Sequence, residues 1–281
     1  MKQIIPPIQY SGSKYLIAPW VVSHFPRHGI FVDVFGGAGA ITLPKKPSRI
    51  EIFNDLDSHI VNLFRVIRDP QKCEQLIELI SLTPYSREEY VDAFHMLENA
   101  ESLSDVECAY YYLYRGLLAF RGFTPGKDKV KAIKFDVGLR GGMFAVARFN
   151  RLPQTLKDIA LRFKSVQIEH RDYAFMSHYA KNGALLYCDP PYLEELLFKS
   201  SYKYYSHHAI NHEEFLQWAK SLDCMCIISG YESELYQDLL KDWRVEKKET
   251  RCRSHAARTE CLWLNPLTIE AQGRNGLLAI A

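Results

Sequence analysis

The run Cys188-Asp189-Pro190-Pro191-Tyr192 concentrates unusual chemistry in five residues. Two successive prolines remove backbone donors and stiffen the turn, which leaves its carbonyls free as acceptors. Asp189 adds a carboxylate acceptor and Tyr192 an aromatic face. Such a set fits an amino group attached to a flat base. The two amine hydrogens would bond to the Asp189 carboxylate and the Pro190 carbonyl, drawing the nitrogen lone pair out of conjugation. Tyr192 would stack on the base after it leaves a duplex. The alternative is a purely structural proline turn. Position favours chemistry: the apolar run Ala184-Leu185-Leu186-Tyr187 comes first, so the turn falls at the C-terminal end of a core strand, where open α/β sheets bind ligands.

A second group lies near the N-terminus. Phe31-Val32-Asp33-Val34-Phe35-Gly36-Gly37-Ala38-Gly39 reads as a strand entering a glycine-rich turn. Gly36, Gly37 and Gly39 would let the backbone approach a ligand beside Phe35 without side chains in the way. Asn54-Asp55 follows at the end of the next strand, where the acid Asp55 can bond both ribose hydroxyls of an adenosine-containing ligand. No Gly-Lys-Ser/Thr follows the glycines, which argues against a nucleotide-hydrolysing phosphate loop. Asp33 narrows the choice further, unless it merely ends its strand. A carboxylate repels a pyrophosphate but attracts the α-amino group of S-adenosylmethionine (AdoMet). Together the two sites describe direct in-line methyl transfer to an amino nitrogen, without a metal or a covalent enzyme intermediate.

These sites need a scaffold. Strands are expected at 29–33, 49–53, 165–169, 184–188 and 225–229, and helices at 14–24, 56–68, 211–221 and 232–242. Alternation of the two argues for a parallel sheet covered on both faces. Residues 70 to about 121 break the rhythm and read as helical, with Ser86-Arg87-Glu88-Glu89 as a capping box. Residues 121–142 read as a loop or hairpin, and Pro153 opens another helix. The expected organisation is a catalytic core of residues 1–69 and 164–281 interrupted by a helical insert at 70–163.

The order and content of these segments resemble the Dam-type family of DNA adenine methyltransferases, particularly its phage-like branch. Tyr10-Ser11-Gly12-Ser13-Lys14 is similar to the family's N-terminal cofactor motif, Asp33 to Gly39 to its glycine loop, and Asn54-Asp55 to its ribose-binding acid. His170-Arg171-Asp172-Tyr173 resembles the segment contacting the cofactor's adenine, and Asp189-Pro190-Pro191-Tyr192 the catalytic signature. Two later stretches, Ser229 to Tyr236 and Arg258 to Asn265, resemble further core motifs. Glycine loop, insert and catalytic motif follow one another as in the family's α group, whose insert recognises DNA. The resemblance implies a Rossmann-like α/β core with a mainly parallel seven-stranded sheet ending in an antiparallel hairpin. It also implies that Tyr10, Gly12 and Lys14 border AdoMet and that Asp172 binds its adenine. Lys14 could instead be an ordinary solvated lysine. The insert lacks the Phe-Asn-Val-Pro hairpin signature of members that recognise GATC; Phe149-Asn150-Arg151-Leu152-Pro153 is only superficially similar.

Charge is distributed in keeping with a DNA partner. Residues 115–164 hold twelve Lys or Arg against three acids, a balance of +9 in a chain whose net charge is +2. A polyanionic partner such as double-stranded DNA, or a solvated basic face, accounts for this. Arg115, Arg121, Lys127, Lys199 and Tyr202 are the candidate DNA contacts, the loop 121–127 entering a groove and the stretch 199–208 closing over a flipped base. The six phenylalanines of the basic stretch are divided between wedge and core, with core favoured. No apolar run is long enough to span a bilayer. Seven cysteines without framework spacing fit a reducing compartment, so a cytoplasmic location is expected. Zinc ligation by Cys224, Cys226, Cys252 and Cys261 has the wrong spacing, and buried packing is the better account. A companion restriction endonuclease is a possible partner. Methylation of a cytosine amino group is the nearest rival. Carbon methylation of cytosine would need a cysteine nucleophile after a proline. A protein glutamine methyltransferase would carry Asn in place of Asp189. A non-catalytic remnant and an oxidoreductase are more distant.

Overall fold

The computed structural model describes residues 4–10, 12–118, 141–193, 210–251 and 257–278, with backbone alone at 141–145, 251, 257–258 and 275–278. Contacts divide the chain into two compact units, one of Met1–Leu16, Gly37–Pro44 and Asp57–His170, the other of Ile17–Gly36, Lys45–Leu56 and Arg171–Ala281.

Seven strands form one sheet in the order β3-β2-β1-β4-β5-β7-β6, namely β1 Ile30–Asp33, β2 Ile50–Asn54, β3 Val166–Glu169, β4 Ala184–Cys188, β5 Met225–Gly230, β6 Arg244–Arg251 and β7 Ala257–Leu264. Strand β1 pairs in parallel with β2 and β4, and β4 with β5. Strand β7 is antiparallel to both β5 and β6, so the expected closing hairpin is present. All residues of β4 and β5 are buried, which is why they read as unbroken apolar runs and not as alternating ones.

The second unit also carries α1 (Ala18–Ser23). The helical part of the first unit comprises α2 (Ser58–Arg68), α3 (Pro70–Leu82), α4 (Arg87–Glu98), α5 (Asp105–Leu118), α6 (Gly141–Asn150) and α7 (Leu152–Phe163). Local chemistry starts several of these helices. Asp57 caps α2 by accepting from the His59 and Ile60 amides, and Asp69 caps α3 in the same way. Helix α7 opens with Pro153 in its first turn. The expected capping box at Ser86 forms only in half. Ser86 Oγ accepts from the Glu88 amide at 3.1 Å, but the Ser86 amide donates to Tyr114 Oη at 2.9 Å and Glu89 instead accepts from the Tyr110 hydroxyl. Two tyrosines of α5 outcompete the reciprocal contact because they also pack the helices together.

Several residues of the basic stretch are structural. Arg148 donates to the Pro6 carbonyl at 2.8 Å and Arg162 to the Thr42 carbonyl at 2.7 Å. Phe149 and Phe163 are core residues, the latter stacked on Phe64 with centroids 4.6 Å apart. Phe120, Phe123 and Phe135 lie outside the described residues. In the second unit, α8 (His212–Lys220), α9 (Glu234–Leu239) and α10 (Pro266–Leu278) accompany the strands. Its core brings together Val32, Cys188, Phe215, Ile228 and Trp263, along with Cys224, Cys226 and Cys261. No helix among the described residues is long and apolar enough to cross a membrane.

Candidate active site

Parallel strands β2, β1, β4 and β5 present their C-terminal ends along one edge, and the chemistry-bearing residues of the second unit gather there. Asp33 ends β1, Asn54 ends β2, Cys188 ends β4 and Gly230 ends β5. In register, Asp33 lies opposite Phe53 on one side and Tyr187 on the other, and Cys188 lies opposite Ile228. The Val34 amide donates to the Tyr187 carbonyl at 2.9 Å, extending the ladder one residue beyond Asp33. Strand order turns at β1, with β2 on one flank and β4 on the other. The glycine turn and the proline turn therefore leave neighbouring strands at the position where such sheets bind ligands.

Asn54 organises this edge. Its Nδ2 donates to the Val34 carbonyl at 2.9 Å and to the Arg171 carbonyl at 3.0 Å, while its Oδ1 accepts from the Arg171 amide at 3.0 Å. One buried amide thus fixes the residue after Asp33 and the residue before Asp172, and Asp55 follows it directly. Buried amides persist only when satisfied, and this one satisfies two other segments in turn. Asp172 Oδ1 caps the following turn by accepting from the Ala174 amide at 2.9 Å. Phe35 is half-buried against Tyr173 and Phe215.

The glycines differ in what they require. Gly36 sits over the buried Phe53 ring, and its amide donates to the Asn54 carbonyl at 2.7 Å. Gly37 and Gly39 have φ of +50° and +73°, values that side chains disfavour. Within the first unit, the Tyr10 ring lies 3.5 Å from where a Cβ at Gly37 would be. The same unit contains Lys14, which is buried and donates to the Gly12 carbonyl at 3.2 Å. A solvated lysine is thus not what the structure contains.

At the proline turn, Asp189 is partly exposed and Pro190 is buried. Tyr192 stacks on Tyr231 with centroids 4.5 Å apart and points its hydroxyl at Glu260 Oε2, 3.4 Å away. Cys188 is wholly buried, and desolvation together with Cys226 pushes its thiol well above the ordinary range. A thiol so held is no nucleophile. Arg115 lies in the first unit with its guanidinium 4.6 Å from the Phe94 ring centroid. Arg121, Lys127, Lys199 and Tyr202 lie outside the described residues. Sequence reasoning passed over Asn54 itself, valuing only its acidic neighbour, and passed over His212, whose buried ring has Nδ1 2.9 Å from the Tyr236 hydroxyl. A polar residue at the buried end of a β-strand was the available signal for Asn54.

A glycine turn and an acidic proline turn on adjacent parallel strands define a methyltransferase of the kind that modifies an amino group. The chain belongs to the D12 class of N6 adenine-specific DNA methyltransferases, whose family profile matches residues 10–253. A Type II methyltransferase, M1.LlaDCHI of Lactococcus lactis subsp. cremoris, is 26% identical to it over 256 residues, 86% of each chain. Adenine-N6 methylation of DNA is accordingly its activity.

Proposed function

We propose that the chain methylates an adenine flipped out of double-stranded DNA, with the turn 189–192 as its catalytic element and AdoMet as its donor. AdoMet, when bound, supplies an electrophilic sulfonium methyl. The observation that carries this reading is the parallel pairing of β1 with β4, which sets Asp33 and the 189–192 turn at adjacent strand ends. The residues present suit that cofactor. A Cβ at Gly36 would be driven into Phe53, so glycine is what lets the turn lie down on β2, and the acids Asp33 and Asp55 suit an ammonium and a ribose.

Asp189 and the Pro190 carbonyl accept the two N6 hydrogens, and Pro191 stiffens the turn that presents them. They hold the nitrogen lone pair toward the methyl, and the proton lost from nitrogen passes to the Asp189 carboxylate and on to water. Tyr192 lies against the base. Tyr10, Gly12, Lys14, Asp33, Phe35, Gly36, Gly37, Gly39, Asp55 and Asp172 line the cofactor site. Residues 70–163 recognise the target, with Arg115, Arg121 and Lys127 on DNA and Lys199 and Tyr202 closing over the base; residues 1–69 and 164–281 form the core. The name of the lactococcal relative, a Type II methyltransferase, supports a companion restriction endonuclease, and a DNA substrate supports a cytoplasmic location.

The test combines labelled AdoMet, mixed-sequence DNA and nucleoside analysis. Wild-type protein yields N6-methyladenine. Asp189→Ala abolishes transfer while AdoMet affinity, read by calorimetry, stays within several-fold. Equal loss of cofactor binding and turnover would contradict the role given to Asp189.

A further inference from the structure

A base stacked on Tyr192 can be no better placed than the ring beneath it. The backbone just upstream is stiff, because both prolines fix φ and Asp189 and Pro190 each precede a proline and are biased to extended backbone. Tyr192 follows that stiff piece, but its ring turns about two side-chain bonds unless other residues hold it.

Two side chains hold it. Tyr231 stacks on the Tyr192 ring with centroids 4.5 Å apart and planes at 29°, at the close end of the range for aromatic pairs. Glu260 Oε2 accepts from the Tyr192 hydroxyl at 3.4 Å. The first contact sets the plane of the ring and the second sets the direction of its long axis. Both partners belong to the sheet. Tyr231 directly follows Gly230, the last residue of β5, and Glu260 precedes Cys261, which pairs with Gly230 from β7. Glu260 is buried, and its register is fixed opposite Lys248 of β6. Glutamate is almost never buried unless paired, and the Tyr192 hydroxyl is one such partner.

Strand order separates this clamp from the cofactor side. Strand β4, which leads into Asp189, lies between β1 and β5. Asp33 ends β1 on one side, and Tyr231 leaves β5 on the other. A base whose amino group faces a methyl donor beside Asp33 lies on the β1 side, so Tyr231 backs the ring and does not take the base's place. We infer that Tyr231 and Glu260 are positioning residues for methyl transfer, holding the Tyr192 ring so that the flipped adenine stacks on the face opposite Tyr231. The inference rests on reading the 189–192 turn as catalytic and Tyr192 as the base's platform.

The experiment measures transfer from labelled AdoMet to unmethylated mixed-sequence DNA, with AdoMet binding followed separately by calorimetry. Tyr231→Leu removes the stacked ring. Its kcat should fall on the order of tenfold, between the worth of an aromatic pair and the cost of an ångström-scale misplacement, with AdoMet affinity within about threefold. Tyr231→Phe keeps the stack and should recover most of the lost kcat. Tyr192→Phe and Glu260→Leu each remove the hydroxyl contact from one end. They should lower kcat by similar factors, and the double variant should fall no further than either single one. Unchanged or raised kcat in Tyr231→Leu, no advantage of Phe over Leu there, or losses that multiply in full in the double variant would overturn the proposal. Should Tyr231→Leu fail to fold, the cycle of Tyr192→Phe and Glu260→Leu decides. Asp189→Ala runs alongside: transfer surviving that change faults the catalytic reading, whereas its loss beside a fully active Tyr231→Leu faults this inference alone.

Discussion

Replacing Gly36 by Ala adds one methyl group at a confined point of the glycine turn. The new Cβ would stand 2.2, 2.5 and 2.6 Å from three atoms of the Phe53 ring. Carbon atoms prefer roughly 3.5–4.0 Å, so ring or backbone must yield by about an ångström. Phe53 is wholly buried within β2. The turn cannot lift away without breaking the 2.7 Å bond from the Gly36 amide to the Asn54 carbonyl. Overpacking of this kind costs about 1–3 kcal/mol, and loss of a hydrogen bond adds about 1 kcal/mol. The expected destabilisation is thus about 2–4 kcal/mol, and on the cofactor role proposed for this turn AdoMet affinity should fall at least tenfold. Gly37→Ala provides the contrast. It meets only the Tyr10 ring at 3.5 Å, and its cost is the φ of +50°, about 1–2 kcal/mol. Urea denaturation gives the stabilities and calorimetric titration the affinities. If Gly36→Ala matched wild type in both, or proved milder than Gly37→Ala, the steric reasoning would be wrong.

Two further outcomes are expected from the buried polar groups. Lys45 and Glu51 pair at 2.9 Å with both side chains nearly inaccessible, and Lys45 Nζ also donates to Ser48 Oγ and the Lys46 carbonyl. Lys45→Met should destabilise by about 3–5 kcal/mol by removing the buried cation that pairs with the Glu51 carboxylate, and adding Glu51→Leu should restore most of that loss; equal stability of single and double variants in urea would refute it. The His212 pKa, lowered by burial from 6.5 to about 4, makes the unfolded chain the better proton binder between those values. Its contribution is therefore present above pH 6.5 and lost as pH falls through about 4, amounting to about 3 kcal/mol. Stability of wild type minus His212→Gln should decline over that window, and a flat difference would show that the ring is not buried as a neutral group.

Much of the fold was legible because its signals are local. Ala184 to Cys188 reads as a strand from five consecutive apolar residues, and β4 has those bounds, since a strand buried on both faces needs no partner to declare itself. Asn211, Asp57 and Asp69 cap helices through amides two or three residues away. The glycine turn and Asp-Pro-Pro-Tyr announce themselves because each gathers rare residues in consecutive positions.

Tertiary structure decided how the buried polar groups are shared. Asn54 meets Arg171 across 117 positions, Glu51 finds Lys45 across a loop, and the Ser86 amide goes to a tyrosine on another helix and not to its own capping box. His212 reads as one more polar residue at a helix start until the fold buries it against Tyr236. Backbone propensity and apolar pattern act over a few residues and can be read along the chain. A buried donor, by contrast, must be satisfied by whichever acceptor folding brings to it, and that choice exists only in three dimensions.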